Sequence, residues 1–441
     1  MLSCLILGLV LLQSGTTPAR LKEAAAALAA NDVPKAEMIL ERAIKADPKS
    51  AEAYHLLGAI RLTQRRLPEA ETFLQKALAI DPKLIAAYVA QADLRVDQNQ
   101  TDDATAILKK ALQLDPTDAR LLMRLGTAEA QAGHIDESLN YLEAVRQTEA
   151  TPGYWEILGR TYLSAGKFDQ AEQAYLRRLK QEPGSIATLR VLSGIALKRG
   201  DSAKAWEYIA QARAAAPNLP EVLYDFAQVS LVNNLVAEAI RAFRLLLIMD
   251  PENPSYLFGL GNALLENVNF AEAETYFDRF VKLRPQEPMG HLMLGYSLFV
   301  KKQFPEARSQ LETALQLDPN LTEAYYQLGA IAAALNEDDK AASLFQETLR
   351  RNPRHGLAHF GIGKLYFGQK KYPEALAAMQ KAAESIPSDP ELHFHMSRVY
   401  AFLNQRDKAK EEVDLYSKLT AEKEKREVES RRMLYGSTAP R

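Results

Sequence analysis

Cysteine is almost absent from this chain of 441 residues, which contains only Cys4. A single cysteine cannot close an internal disulfide, and it cannot build a zinc site that requires several thiolates. Because Cys4 lies at the very start of the chain, no thiol nucleophile is available in its body. The sequence therefore predicts neither a disulfide scaffold nor cysteine-based catalysis.

An excess of charge of either sign is also missing. The chain has 54 basic and 56 acidic residues, which gives a net charge of -2 at pH 7. Nucleic-acid binding depends on a basic surface that neutralises phosphates, so no nucleic acid is expected as a partner. Hydrophobic residues make up 47% and charged residues 25% of the chain, proportions typical of folded soluble proteins.

Long apolar runs are scarce, and the run at residues 2–12 is too short to span a bilayer comfortably. Its length suits the hydrophobic segment of a signal peptide, although the first basic residue, Arg20, follows the run instead of preceding it. We interpret residues 1–16 as an apolar leader that exports or anchors the chain, and membrane contact is expected only through this segment. The alternatives are a wrongly assigned start or a frayed end, with the chain remaining cytoplasmic.

Proline recurs in the sequence at a period of thirty-four residues, with one interruption. The recurring residues are Pro48, Pro82, Pro116, Pro183, Pro217, Pro251, Pro285, Pro319, Pro353 and Pro387. Counting each proline as position 32 of a repeat, position 8 is always Gly, Ala or Ser, and position 20 is Ala in all repeats but one. Proline stops a helix, and small residues let two helices cross closely. The pattern predicts a series of helical hairpins.

One stretch carries the most complete version of the repeat. Its marked residues are Trp155, Leu158, Gly159, Tyr162, Ala171, Tyr175 and Pro183. This pattern resembles the tetratricopeptide repeat, a helix–turn–helix unit of thirty-four residues. The resemblance covers about residues 17–423 and implies an all-α fold, an α-solenoid that forms a right-handed superhelix of about twelve repeats.

Two departures from the period suggest how the chain is divided. The fourth repeat is one residue short, and the loss falls between Arg146 and Gly153, where the expected proline is also missing. We predict repeats 1–4 in residues 17–150 and repeats 5–12 in residues 151–423, with either a bend between them or a loop deletion without geometric effect. No proline ends the last helix, so residues 424–441 are predicted to be a charged capping end and a flexible tail.

No motif in the sequence points to catalysis, a cofactor or a metal. His291, His359 and His393 occupy position 4, where four other repeats carry Tyr54, Tyr88, Trp155 and Tyr325, so each is interpreted as replacing a packing aromatic. Gly261 and Gly363 occupy position 8 and belong to predicted helices, whereas phosphate-binding loops place their glycines ahead of a helix. We therefore expect a protein that is not an enzyme.

Candidate binding residues are those that the packing pattern leaves free. In the tetratricopeptide family the inner groove is lined mainly by the first helix of each repeat. Mapping those positions gives a partner groove of Tyr224, Phe258, Tyr296, Tyr326, Phe360, Lys364, Phe394 and Arg398. The same mapping gives a basic groove patch of Arg120, Arg124, Arg160 and Arg190. Two alternatives remain open: the rings pack on one another as core, and the arginines are ordinary solvated charges.

The resemblance implies a non-enzymatic scaffold or adaptor that binds a protein or peptide segment in the concave groove. Two alternatives are a regulatory or substrate-recruiting subunit of a separate modifying enzyme, such as a glycosyltransferase, and an envelope-tethered assembly factor. The sequence makes no prediction of oligomeric state.

Overall fold

The computed structural model describes residues 19–145 and 151–435, with side chains described up to residue 425. These ranges contain twenty-four helices and no strand, which confirms the predicted all-α solenoid. The helices are α1 (Ala19–Ala29), α2 (Val33–Ala46), α3 (Ala51–Thr63), α4 (Leu67–Ile80), α5 (Ile85–Asp97), α6 (Thr101–Leu114), α7 (Ala119–Gln131), α8 (Ile135–Glu143), α9 (Pro152–Ser164), α10 (Phe168–Gln181), α11 (Ile186–Lys198), α12 (Ser202–Ala215), α13 (Pro220–Val232), α14 (Val236–Met249), α15 (Pro254–Glu266), α16 (Phe270–Leu283), α17 (Pro288–Val300), α18 (Phe304–Leu317), α19 (Thr322–Ala334), α20 (Asp338–Arg351), α21 (Gly356–Gly368), α22 (Tyr372–Ser385), α23 (Pro390–Phe402) and α24 (Arg406–Tyr435).

Each odd-numbered helix is helix A of a repeat and each even-numbered helix is its helix B. A typical helix A has 13 residues and a typical helix B has 14. Helix α4 ends at Ile80, two residues before Pro82, because the proline ring disfavours a helical conformation in the residue that precedes it. In the repeats that carry the recurring proline, helix B therefore ends where the sequence predicted.

The turn from helix A to helix B places one residue at positive φ in every repeat. Glycine or asparagine, which enter this region at low cost, occupy most of these turns. Val268 is an exception at φ 59°, although β-branched side chains strongly disfavour this conformation. Two backbone hydrogen bonds hold the turn: Val268 N–H donates to Leu265 (2.9 Å) and Asn269 N–H donates to Leu264 (2.8 Å). The surrounding repeat thus imposes its backbone on an unfavourable residue.

Helices A and B cross closely at positions 8 and 20. A Cβ atom built on Gly159 would lie 2.7 Å from the ring of Tyr175, so the glycine is required for this approach. Ala171 faces the same crossing and is fully buried, as is Ala341 five repeats beyond. The predicted packing register is confirmed both in repeat 5 and in repeat 10.

Histidine or tyrosine at position 4 ties a repeat to the one before it. The ring Nε2 of His291 bonds to the carbonyl of Pro285 (3.1 Å), and that of His393 bonds to the carbonyl of Pro387 (2.8 Å). The hydroxyl of Tyr88 donates in the same way to its preceding proline (3.1 Å). These histidines are therefore structural, as the sequence predicted.

The chain forms two compact units, residues 1–199 (the N-terminal unit) and residues 200–441 (the C-terminal unit). Their boundary lies inside repeat 6, between α11 and α12. The division predicted after residue 150 stays a prediction, as does the bend, because residues 146–150 lie outside the described residues. The leader predicted for residues 1–16 and the tail at residues 436–441 lie outside them as well. In the described part of the chain, no helix combines the length and apolarity needed to cross a membrane.

Candidate functional site: the inner face of the A helices

The A helices of neighbouring repeats touch one another directly within each unit. In the C-terminal unit α17 contacts α19, α19 contacts α21, and α21 contacts α23. Elements on the inside of a curved stack approach most closely, so the A helices form the inner face of the unit. The side chains at positions 2, 5, 6, 9, 12 and 13 of these helices are the candidates for contact with a partner.

The position-5 rings of the C-terminal unit lean against helix B of their own repeat. Tyr224 meets Phe243 with a centroid separation of 6.1 Å, and Phe258 meets Phe277 at 5.7 Å. Tyr326 lies 6.0 Å from Phe345 in the same arrangement. Tyr224, Phe258 and Tyr326 are half-buried, so each combines a packed edge with an accessible one. Burial also raises the pKa of the Tyr326 phenol, which therefore stays protonated and can donate a hydrogen bond.

Two other predicted groove residues differ in exposure. Tyr296 is half-buried against Phe270, with their ring centroids 6.2 Å apart. Phe360 is only 3% exposed and packs at 5.5 Å against the ring of His395. For Phe360 the prediction of a groove contact needs correction, because the neighbouring repeat covers this ring and makes it part of the core.

The face ends in a cluster that we call the C-terminal patch: Lys364, Phe367, Phe394, Arg398 and Phe402. Phe394 is 42% exposed and Phe402 is 55% exposed, which is unusual for large aromatic side chains. The ring of Phe402 lies 5.7 Å from that of Phe367. Among the described residues no further helix A follows α23, so no neighbouring repeat covers these rings as it covers Phe360.

The cations of the C-terminal patch lie against its rings. The Arg398 guanidinium is 4.8 Å from the centre of Phe367 and 5.8 Å from that of Phe394. Lys364 Nζ lies 4.5 Å from the Phe360 ring and 3.0 Å from a carboxylate oxygen of Glu391. Within the described side chains no carboxylate pairs with Arg398. Among the described side chains, the patch therefore combines apolar surface with one paired cation, Lys364, and one cation without a carboxylate partner, Arg398.

Half of the predicted basic groove patch is neutralised by its own neighbours. Arg120 binds Asp118 at the start of its own helix, with Nη2 at 2.7 Å and Nε at 3.1 Å from the carboxylate. Arg124 forms an ion pair with Asp93 on helix A of the preceding repeat. Arg160 is exposed and Arg190 is half-buried. Two of the four arginines are thus already engaged by carboxylates.

A cavity of about 540 Å³ in the N-terminal unit was not anticipated from the sequence. It lies beside α8, which has 9 residues whereas α6 has 14. Its wall includes Trp155, with the Arg177 guanidinium 5.2 Å above the ring, and Tyr162, whose hydroxyl donates to Glu143 at 2.8 Å. The missing proline and the shortened fourth repeat were the sequence signals that marked this place.

Metal ligands are not clustered in the described ranges. There, no group of three or more His, Cys, Asp or Glu side chains is arranged to hold a metal ion. The chemistry that the inner face offers is therefore apolar contact, hydrogen bonding and charge pairing.

Several solved structures share local likeness with the chain. One is described as MamA, with 26% identity over 38% of this chain and 92% of that chain and a TM-score of 0.34. A tetratricopeptide repeat protein from Parabacteroides merdae has 15% identity over 56% of this chain and 98% of its own, with a TM-score of 0.49. PilF of Pseudomonas aeruginosa has 22% identity over 47% of this chain and 94% of its own, with a TM-score of 0.40.

Among curated proteins, no sequence matches this chain significantly. Family models of the tetratricopeptide repeat do match, and they cover most of the chain. One model matches residues 21–85, 157–220, 224–288 and 339–390, and two others match residues 95–160 and 295–336. Together with the position-8 and position-20 packing, these matches show that the chain belongs to the tetratricopeptide repeat family.

Proposed function

We propose that this protein is a non-enzymatic scaffold that binds an extended segment of a partner protein along the inner face of its C-terminal unit. Repeats of this family generally bind proteins or peptides and are generally non-catalytic. Membership of the family accounts for the helical scaffold. Which face binds the partner has to be inferred from the side chains of this chain.

The observation that carries the proposal is the exposure of the aromatic C-terminal patch. Exposed Phe394 and Phe402, with Arg398 between the rings of Phe367 and Phe394, combine the side chains that dominate binding interfaces. The half-buried rings of Tyr224, Phe258, Tyr296 and Tyr326 extend the accessible apolar surface along the same row of helices. An extended segment would lie across successive A helices and contact these rings in turn.

The experiment compares an inner position with an outer one by photo-crosslinking. A photoreactive phenylalanine analogue replaces Phe402 on α23 in one variant of the full chain. In the matched control it replaces Ile248, which is 76% exposed on helix B of repeat 7. Irradiation in cells is expected to give a discrete crosslinked partner from residue 402 and none from residue 248. Equal crosslinking from both positions, or crosslinking from residue 248 alone, would contradict the proposal.

A further inference from the structure

We propose that the C-terminal patch selects partner segments in which an acidic side chain stands next to an aromatic or large aliphatic one. This inference rests on the proposed function, because it names the chemistry of the segment that the inner face binds. Its basis is the juxtaposition of a guanidinium that pairs with no described carboxylate, a weakly paired ammonium and two exposed rings.

Arg398 is placed to receive a carboxylate. Its guanidinium stacks on Phe367 and Phe394, which fixes the plane of the group while its N–H donors at the edge stay available. A planar guanidinium binds a carboxylate through two parallel hydrogen bonds, and such charge-assisted bonds are about twice as strong as neutral ones. Since no described carboxylate pairs with Arg398, an incoming acidic group meets no competitor there.

Lys364 supplies the second positive charge, and its present partner is easily displaced. The pair between Lys364 and Glu391 measures 3.0 Å, with 42% and 61% of the two side chains exposed. Exposed pairs of this kind contribute little to stability because water screens them. A partner carboxylate can therefore replace Glu391 at low cost, whereas Glu391 itself repels an acidic segment.

The rings define the apolar part of the segment. Phe402 stacks on Tyr372 with a centroid separation of 4.6 Å and an angle of 3° between the rings, so Tyr372 holds the orientation of a ring that stays 55% exposed. Phe394 is held from the other side by Tyr416, at 5.6 Å. An aromatic or large aliphatic side chain that covers this surface removes apolar area from water. The acidic group and the apolar group must be neighbours, because Arg398 lies against Phe394.

Charge argues against the chain's own C-terminal segment as the occupant. Residues 430–441 contain Arg431, Arg432 and Arg441 and no acidic residue. Such a segment would bring positive charge to Lys364 and Arg398, which is unfavourable. The complementary occupant is an acidic segment of another protein.

The test selects ligands from a display library of random twelve-residue peptides with the full chain as bait. Three baits are compared: the unchanged chain, Arg398→Gln, and the matched control Lys381→Gln. Lys381 is exposed on helix B of repeat 11, so its replacement removes the same charge away from the inner face. We expect the unchanged chain and the control to enrich peptides with Asp or Glu beside an aromatic or large aliphatic residue. The affinity of a selected peptide is expected to fall about tenfold in Arg398→Gln and to rise about threefold in Glu391→Gln.

The outcomes separate this inference from the proposed function. If selected peptides lack acidic residues and bind Arg398→Gln as well as the unchanged chain, the inference is overturned while groove binding stands. If no peptide is enriched, both are overturned. Light scattering tests whether a second copy of the chain occupies the patch. If the unchanged chain self-associates and Phe402→Ser makes it monomeric, the patch binds a second copy and the inference is refuted. Circular dichroism of each variant verifies that helicity is retained.

Discussion

The inner faces of the two units share one backbone pattern but differ in what lines them. In the N-terminal unit Arg124 is paired with Asp93 of the preceding repeat, and Arg120 is bound by Asp118 of its own helix. In the C-terminal unit the equivalent helices carry rings, and among the described side chains Arg398 has no carboxylate partner.

This difference shows how one repeat supports two kinds of surface. A face whose charges are already paired offers a ligand little, because each new contact must replace an existing one. A face of half-exposed rings retains apolar area that only a partner can cover. Binding is therefore set by the lining residues, while the packing positions keep both units in the same fold.

The comparison of the two inner faces requires that the helices pack equally well in both units. Replacing the alanine at position 20 by a larger residue tests this, and it is the prediction with the largest expected effect. Ala171→Leu in the N-terminal unit and Ala341→Leu in the C-terminal unit each place a bulky side chain at a fully buried helix crossing. Overpacking of this kind typically costs about 1–3 kcal/mol. Urea denaturation followed by circular dichroism should show a similar loss in both variants and none in Gln346→Leu, which lies on an exposed face. A neutral result for either alanine would refute the register in that unit.

The register itself could be read from the sequence because it is local and periodic. Glycine at position 8, alanine at position 20 and proline at position 32 each meet a constraint within one repeat or between neighbours. Gly159 beneath Tyr175 is an example in which both partners are visible in the printed sequence. The position-4 histidines followed from the same logic.

Exposure could not be read in this way because it depends on what the next repeat contributes. Phe360 and Phe394 hold the same position, yet one is 3% and the other 42% exposed. The ring of His395 in the following repeat covers Phe360, whereas no further described A helix covers Phe394. Likewise, pairing of Arg124 with Asp93 joins two repeats, and a search of each repeat alone misses it.

A second difference between the faces lies at position 5 of repeat 2, where His55 takes the place of the later rings. Burial lowers the pKa of His55 from 6.5 to about 4, so the folded protein keeps it neutral. Below pH 6.5 the unfolded chain binds a proton that the folded chain excludes, and stability falls until the pH passes the folded pKa. Between pH 7 and pH 5 the loss should be about 2 kcal/mol.

Urea midpoints measured across this pH range check the His55 prediction. His55→Leu removes the titrating group and should flatten the dependence. A wild-type curve that stays flat between pH 7 and pH 5 would show that His55 is solvated or protonated in the folded protein.

The prediction with the smallest expected effect tests whether charged side chains on the inner face of the N-terminal unit pair with one another. The Asp93 and Arg124 side chains are 20% and 25% exposed, so water screens their attraction in part. A double-mutant cycle with Asp93→Asn, Arg124→Gln and the double variant should give a coupling energy of about 0.2–1 kcal/mol. Strictly additive effects would mean that Asp93 and Arg124 do not stabilise each other. Arg124 would then be as available to an acidic ligand as Arg398. Coupling in the expected range, reduced by added salt, would instead show that an acidic ligand must displace Asp93 to reach Arg124, whereas no described carboxylate has to be displaced from Arg398.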